Sequence, residues 1–220
     1  TTSIIYTVTS GFCNSTAQLT LTVNATPAAT ILYTGSPYCA AAGTAFATIT
    51  GTTGGSFSAA AGLSLNPATG EVNLGTSTPG TYTVTYFITA SGGCSSFTTS
   101  TSITISSTPS ATIAYTGSPY CSNAGIATVT QNGSIGGTYS APAGLNINST
   151  TGEVTLGTST PGIYTVTYSI PAAGGCSAFS TSASITVNAA PSATIIYNAS
   201  PYCNNAGTAT VTRTGTTGGI

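Results

Sequence analysis

The chain of 220 residues contains one Lys or Arg, two Asp or Glu and no His, so that charged residues make up 1% of it. Without His or Asp there is no base for a Ser-His-Asp or Cys-His catalytic site. The two carboxylates, Glu71 and Glu153, lie at equivalent places in two copies of a repeat, which excludes a glycosidase that pairs two carboxylates in one site. The single cation, Arg213, excludes nucleic acid as a partner, and the cysteines are too widely spaced for a zinc site. The sequence therefore predicts a protein that is not an enzyme and that uses no metal or cofactor.

The remaining composition is typical of a folded all-β protein. Hydrophobic residues make up 40% of the chain, which includes 12 Tyr and 6 Phe. Together with the abundant Val, Ile and Thr, these residues favour a pleated, half-buried surface, whereas disordered segments are poor in them. No apolar run approaches the ~18 residues that a membrane-spanning helix needs. We therefore expect no membrane span in this sequence.

An internal repeat divides the chain. Tyr-Thr-Gly-Ser-Pro-Tyr-Cys occurs at 33–39 and 115–121 and returns, after the same interval, as Tyr-Asn-Ala-Ser-Pro-Tyr-Cys at 197–203. A gapless comparison of the segment 27–108 with the segment 109–190 gives 52 identical positions. This period is too long for a solenoid turn and suits a small sandwich domain. We predict four segments: the C-terminal part of a preceding repeat at 1–26, complete repeats at 27–108 and 109–190, and the N-terminal part of a following repeat at 191–220.

Short strands follow one another through each repeat. In the first complete repeat they are predicted at 29–33, 44–50, 55–58, 62–66, 71–74, 81–89 and 95–105. The clearest is 81–89, where Val84, Tyr86 and Ile88 lie on one face and threonines on the other. Position 49 carries Ile in this repeat, and the later copies carry Gln131 and Arg213 there, which predicts a rim where a polar side chain reaches water. Seven short alternating strands predict an antiparallel β-sandwich.

The segment AGLSLNPATGEVNLGTSTPGTYTVTYFIT at 61–89 resembles the second half of the Ig-like and cadherin-like domains of large secreted bacterial surface proteins. The Pro-Tyr-Cys opening and the Gly-Gly-Cys-Ser hairpin resemble the Ig-like repeats of giant adhesins on gliding, type IX-secreting bacteria. This resemblance implies tandem Ig-like β-sandwich domains of about 82 residues each, in an extracellular, cell-surface or secreted stalk. The acidic calcium motifs that cadherin-like relatives carry between domains are absent from this sequence.

Each repeat has one cysteine near its start and one at its last hairpin; the six are Cys13, Cys39, Cys94, Cys121, Cys176 and Cys203. In an extracellular β repeat this arrangement predicts disulfides. The favoured pairing lies within each domain, Cys39 with Cys94 and Cys121 with Cys176. The alternative spans the linkers and pairs Cys13 with Cys39, Cys94 with Cys121 and Cys176 with Cys203.

The surface and the linkers suit a stiff, neutral fibre. Linkers at 24–30, 106–112 and 188–194 each contain one Pro, which favours an extended joint. A nearly uncharged surface has little long-range repulsion, so copies of the chain can pack side by side.

Two further kinds of surface site are predicted. Candidate glycosylation sites are the asparagines that head Asn-x-Ser/Thr patterns, namely Asn14, Asn24, Asn132, Asn148 and Asn198, although a Ser/Thr-rich chain forms such patterns by chance. Tyr38, Tyr120 and Tyr202 either pack beside the neighbouring Pro and Cys or stack on sugars.

Near-identical copies without a distinguishable site favour a non-enzymatic structural role, as the stalk or shaft of an extracellular bacterial filament or cell-surface adhesin. One alternative is a carbohydrate- or surface-binding repeat that acts by avidity. Another is a filament subunit that exchanges strands between 1–26 and 191–220. The expected partners are neighbouring repeats of the same chain, other copies of the chain and surface glycans.

Overall fold

The computed structural model describes residues 1–198 and 200–218; Ala199, Gly219 and Ile220, in the predicted segment 191–220, lie outside this description. The described residues form strands and two 3₁₀ turns, Ala40–Ala42 and Leu156–Thr158. The chain divides into two compact units. The first unit consists of Thr1–Thr108 and Ala172–Ser177, and the second of Pro109–Pro171 and Ala178–Ile220. The segment 172–177 of the second repeat thus belongs to the first unit.

Ten strands form the first unit: β1 (Thr2–Ser10), β2 (Cys13–Leu21), β3 (Ala29–Leu32), β4 (Tyr38–Cys39), β5 (Thr44–Ala45), β6 (Thr48–Gly51), β7 (Ser56–Ala59), β8 (Val72–Asn73), β9 (Gly80–Ile88) and β10 (Phe97–Ser106). The main sheet has the order β4-β10-β9-β7, and smaller antiparallel pairs join β1 with β2, β3 with β6 and β5 with β8. β9 and β10 pair antiparallel from Phe97 opposite Ile88 to Ile105 opposite Gly80. β4 pairs parallel with the end of β10.

The second unit repeats this arrangement with β11 (Ala111–Ala114), β12 (Tyr120–Cys121), β13 (Ile126–Ala127), β14 (Thr130–Gly133), β15 (Thr138–Ser140), β16 (Val154–Thr155), β17 (Gly162–Ile170), β18 (Phe179–Asn188), β19 (Ala193–Tyr197) and β20 (Val211–Gly215). Its main sheet has the order β12-β18-β17-β15. Antiparallel pairs join β11 with β14, β13 with β16 and β19 with β20. The same sequence pattern therefore produces the same strand order in both complete repeats.

Each unit has its own core, which lies between the main sheet and the smaller strand pairs. In the first unit Val84 and Ile103 are 0% exposed and pack with Ile31 of β3. In the second, Val166 and Ile185 take the same places. The alternation of buried and exposed residues along β9 and β17 follows from the two-residue side-chain period of a strand. Both complete repeats are thus β-sandwiches with mainly antiparallel sheets, which confirms the predicted all-β, tandem Ig-like fold class.

The structure differs from the predicted strands in three places. The stretch 44–50 forms two short strands, β5 and β6, and Phe46 between them is 64% exposed. The stretch 62–66 contributes only a bridge from Leu65 to Val72. β4 was not predicted, because two residues are too few to show a periodic pattern.

At the predicted rim, Ile49 and Gln131 are half-buried in the two complete repeats, and Arg213 at the equivalent place is exposed. Gln131 is half-buried, and its side-chain carbonyl accepts a hydrogen bond of 2.7 Å from the hydroxyl of Tyr139. Its amide donates to the carbonyl of Ser134 at 2.9 Å. The first repeat has the apolar residues Ile49 and Phe57 at the equivalent positions. A polar side chain is accommodated here because its partner has gained a hydroxyl, and buried polar groups need such partners.

One buried tyrosine in each complete repeat fastens a loop to the core. The hydroxyl of Tyr33, which is 2% exposed, donates to the carbonyl of Gly70 at 2.6 Å. The hydroxyl of Tyr115 donates in the same way to Gly152. Burial, with a smaller effect of the neighbouring Tyr38, raises the pKa of Tyr33 to about 12, and burial also raises the pKa of Tyr115.

These pKa values predict a loss of stability at alkaline pH. The unfolded chain releases the tyrosine protons near pH 10, whereas the folded chain keeps them to about pH 12 at Tyr33. The stabilisation of the fold by the protonated Tyr33 is therefore complete below pH 10 and is lost as the pH rises from 10 to 12. We expect the free energy of unfolding to fall by at least about 2 kcal/mol over this range in the wild-type chain relative to Y33F/Y115F. Urea unfolding at several pH values measures this, and parallel curves for the two proteins would contradict it.

Candidate functional site

A hydrogen bond joins the loop that ends in Cys39 to β10. The backbone N–H of Gly35 donates to the hydroxyl of Tyr38 at 3.0 Å, and the hydroxyl of Ser36 accepts from the N–H of Thr104 at 2.9 Å. Cys39 then lies opposite Ser106, the last residue of β10. This places the Cys39 side chain at the point where the chain leaves the first complete repeat.

The second half of the site is the hairpin 172–177, which joins β17 to β18. The backbones of Ala173 and Cys176 exchange hydrogen bonds of 2.9 and 3.2 Å around Gly174 and Gly175. Both glycines have positive φ values, 59° and 77°, as a tight two-residue hairpin turn requires. The turn thus presents Cys176 at a fixed position.

A disulfide joins the two halves, and we call the bonded arrangement of Pro37–Cys39, Ser106–Thr108 and the hairpin 172–177 the junction. Cys39 bonds to Cys176 across 137 positions of sequence, with a Cα–Cα distance of 4.7 Å. Cys39 is 6% and Cys176 7% exposed. The junction therefore ties a hairpin of one repeat covalently to the preceding repeat.

The junction is closely packed around this bond. Cys176 Sγ lies 3.5 Å from the carbonyl oxygen of Ser107, and Cys39 Sγ lies 3.6 Å from Thr108 Oγ1. A Cβ atom on Gly175 would collide with the carbonyl oxygen of Pro37. Only glycine combines this close approach with a positive φ.

The pairing of Cys39 with Cys176 overturns both predicted pairings for these two cysteines. Cys94 precedes the start of β10 and Cys39 lies beside its end, so the ten residues of this strand separate them. Such a strand is about 30 Å long. A disulfide requires Cα atoms within about 7 Å, which excludes the predicted Cys39–Cys94 bond in this fold.

The other four cysteines are free thiols. Cys94 is half-buried, whereas Cys13, Cys121 and Cys203 are exposed. The structure therefore contains neither the predicted Cys121–Cys176 bond nor the linker-spanning bonds Cys13–Cys39, Cys94–Cys121 and Cys176–Cys203.

The other predicted surface residues lie at separate places within the units. All five candidate glycosylation asparagines are exposed. Three have side chains in hydrogen bonds: Asn24 donates to the carbonyl of Gly92 at 2.8 Å, Asn148 accepts from the backbone N–H of Thr150 at 2.9 Å, and Asn198 donates to the hydroxyl of Thr212 at 3.3 Å. Tyr38 and Tyr120 are half-buried, and Tyr202 is 41% exposed. Glycosylation of the asparagines stays a prediction.

Among residues 1–198 and 200–218, no group of three or more His, Cys, Asp or Glu side chains lies close enough to hold a metal ion. In the same residues, no helix has the length and hydrophobicity to cross a bilayer. Glu71 is half-buried and Glu153 is exposed, where its carboxylate accepts a hydrogen bond of 3.1 Å from the hydroxyl of Thr151.

No protein-family model and no curated protein matches the chain. Among solved structures, it is similar to the insect immune protein hemolin, with 12% identity, a TM-score of 0.39 and coverage of 86% of this chain and 56% of hemolin. It is also similar to immunoglobulin domains 1–5 of Sidekick-1, with 10% identity, a TM-score of 0.47 and coverage of 78% and 40%. A third is titin domains I67–I69, with 12% identity, a TM-score of 0.31 and coverage of 71% and 62%. The chain thus spans roughly half the length of these structures, and its Ig-like fold is established by its own strand order and pairing.

Proposed function

We propose that this chain is part of the non-enzymatic shaft of an extracellular bacterial filament or cell-surface adhesin. The observation that carries this proposal is the junction, in which Cys39 of one repeat is bonded to Cys176 of the next. A covalent bond between consecutive repeats has no catalytic use here, but it strengthens a chain that is pulled at its ends. Neighbouring repeats are therefore the first partners of each repeat.

The composition supports the same function. Disulfides persist in oxidising surroundings, which favours a secreted or surface location. With 1% charged residues, the shaft has little electrostatic repulsion between copies and little sensitivity to salt. Threonines on the outer faces of the strands keep such a surface polar without charge, as in β9, where Thr81 and Thr83 are exposed.

Stretching the chain under force tests this proposal. When the full chain is pulled from its two ends and both units unfold, the disulfide should prevent the chain between Cys39 and Cys176, which are 137 positions apart, from extending. Reduction should then lengthen the unfolded chain by about 450–490 Å, since an extended residue spans about 3.3–3.6 Å. The C39A/C176A chain provides the control, because its length should not change on reduction. Equal lengths for the oxidised and reduced wild-type chains would contradict a junction that resists force.

A strand-exchanging filament subunit is the second candidate, and exposed apolar residues favour it. Ile5 and Leu19 on β1 and β2 are 62% and 68% exposed, as are Ile195 and Ile196 on β19 at 68% and 56%. By the period of the repeat, β1 and β2 correspond to β9 and β10, whereas β19 and β20 correspond to β3 and β6. The core strands β3 and β10 pack together in the first unit. If two chains exchange these strands, the sedimenting mass under reducing conditions should rise with concentration, whereas a simple shaft segment stays monomeric when no disulfide can join its copies.

A further inference from the structure

An open groove lies beside the free thiol of Cys94. Its volume is about 460 Å³, and its lining includes Asn24, Ala25, Thr53, Ser91 and Gly92. Cys94 Sγ lies 3.5 Å from the carbonyl oxygen of Ala25, and Asn24 donates to the carbonyl of Gly92. The hairpin that carries Cys94 is thus already docked on the chain segment that enters its repeat.

This groove is the repeat equivalent of the junction. A shift by one repeat places Cys94 on Cys176 and Ala25 on Ser107. The distance from Sγ to the carbonyl oxygen is 3.5 Å in both copies. The two hairpins also share the backbone hydrogen bonds that close them, Ser91 with Cys94 and Ala173 with Cys176.

The two copies differ in what lies against the hairpin. At the junction, a Cβ on Gly175 would collide with the carbonyl oxygen of Pro37. At the equivalent Gly93, with a φ of 82°, a Cβ would meet nothing within 4 Å. The space that the segment Pro37–Cys39 fills at the junction is therefore open beside Cys94.

The matching half of the bond is presented by the second repeat. The backbone N–H of Gly117 donates to the hydroxyl of Tyr120 at 3.1 Å, and the hydroxyl of Ser118 accepts from the N–H of Thr186 at 2.9 Å. The loop before Cys39 is shaped by the equivalent hydrogen bonds of the first repeat. The loop before Cys121 is thus formed in the same way, and Cys121 is an exposed thiol.

We infer that the groove beside Cys94 is a binding site for the Ser-Pro-Tyr-Cys loop of another copy of this repeat, which closes a disulfide on Cys94. The loop before Cys121 is the corresponding donor to a further copy. The two thiols lose two protons and two electrons as the S–S bond forms. A disulfide oxidant such as oxidised glutathione accepts them and becomes two molecules of glutathione. This bond needs the same oxidising surroundings as the Cys39–Cys176 bond.

A peptide probe tests the site on the full chain. In C13S/C121S/C203S, Cys94 is the one free thiol beside the Cys39–Cys176 bond. The probe is the peptide Tyr-Thr-Gly-Ser-Pro-Tyr-Cys, with its cysteine activated as a mixed disulfide with 2-nitro-5-thiobenzoate. The Cys94 thiolate attacks the peptide sulfur, the activated S–S bond breaks, and the coloured thiobenzoate thiolate leaves. We expect this reaction to be about tenfold faster than with a peptide of scrambled order, because binding positions the two sulfurs.

Two controls decide the outcome. In C13S/C94S/C121S the remaining exposed Cys203 should react equally with both peptides. Gly93→Asn, which places a side chain where the loop would lie and tolerates positive φ, should remove the preference. Gly43→Asn is the matched variant, because Gly43 has a φ of 85° and open space around it, and it should keep the preference. Equal rates for both peptides at Cys94, or an unchanged preference in Gly93→Asn, would overturn the inference, and either result would leave the shaft proposal intact.

Discussion

Replacing Cys39 and Cys176 by alanine is expected to lower the free energy of unfolding of the first unit by about 2–5 kcal/mol. The bond closes a loop across 137 positions, and so restricts the unfolded chain strongly. The chain-entropy model gives about 5 kcal/mol for a loop of this size. The measurement is the urea unfolding transition of C39A/C176A compared with that of the wild-type chain.

The control for this prediction is C94A/C121A, which also removes two sulfurs but leaves the disulfide in place. These two cysteines are free thiols, and neither is buried like the bonded pair. We expect this variant to change the free energy of unfolding by less than about 1 kcal/mol. A reducing agent should shift the wild-type transition to that of C39A/C176A. If C39A/C176A unfolds at the same urea concentration as the wild-type chain, the bond does not stabilise the fold.

Tyr168→Ala is expected to destabilise the second unit by about 3–5 kcal/mol, as for other large aromatic residues in cores. Tyr168 is 1% exposed, and its ring centroid lies 4.7 Å from that of Tyr139. Its hydroxyl accepts a hydrogen bond of 2.9 Å from the N–H of Gly137 and donates one of 3.2 Å to the carbonyl of Ser134. The alanine variant loses both the packed ring and these hydrogen bonds. Thermal or urea unfolding, followed by circular dichroism, gives the magnitude.

Two variants separate the contributions of Tyr168. Tyr168→Phe keeps the ring and should lower the free energy of unfolding by about 1 kcal/mol, mainly because the N–H of Gly137 loses its hydrogen-bond acceptor. Ile163→Ala lies on the same strand, but Ile163 is 77% exposed, so that its loss should cost less than about 0.5 kcal/mol. If Ile163→Ala lowered the free energy of unfolding as much as Tyr168→Ala does, the strand, and not the core, would limit stability.

The local pattern of the sequence was sufficient to predict the sandwich. The alternation along β9 places Val84 and Tyr86 in the core because side chains alternate between the two faces of a strand. Because the sequence repeats, the same prediction applies to β17, where Val166 and Tyr168 are buried in the same way. Such features depend on residues a few positions apart, which is why a single sequence reveals them.

The sequence by itself determined the all-β fold and placed one cysteine near the start of each repeat and one at its last hairpin. Only the tertiary structure decided which cysteines meet, because that depends on the length of β10 and on the pairing of β4 beside its end. Strands of two residues show no period, and the hydrogen bond between Tyr139 and Gln131 joins side chains on two different strands. The Cys39–Cys176 bond joins residues 137 positions apart. Cys176 lies in a hairpin that packs with the preceding repeat, and no local sequence pattern encodes this contact.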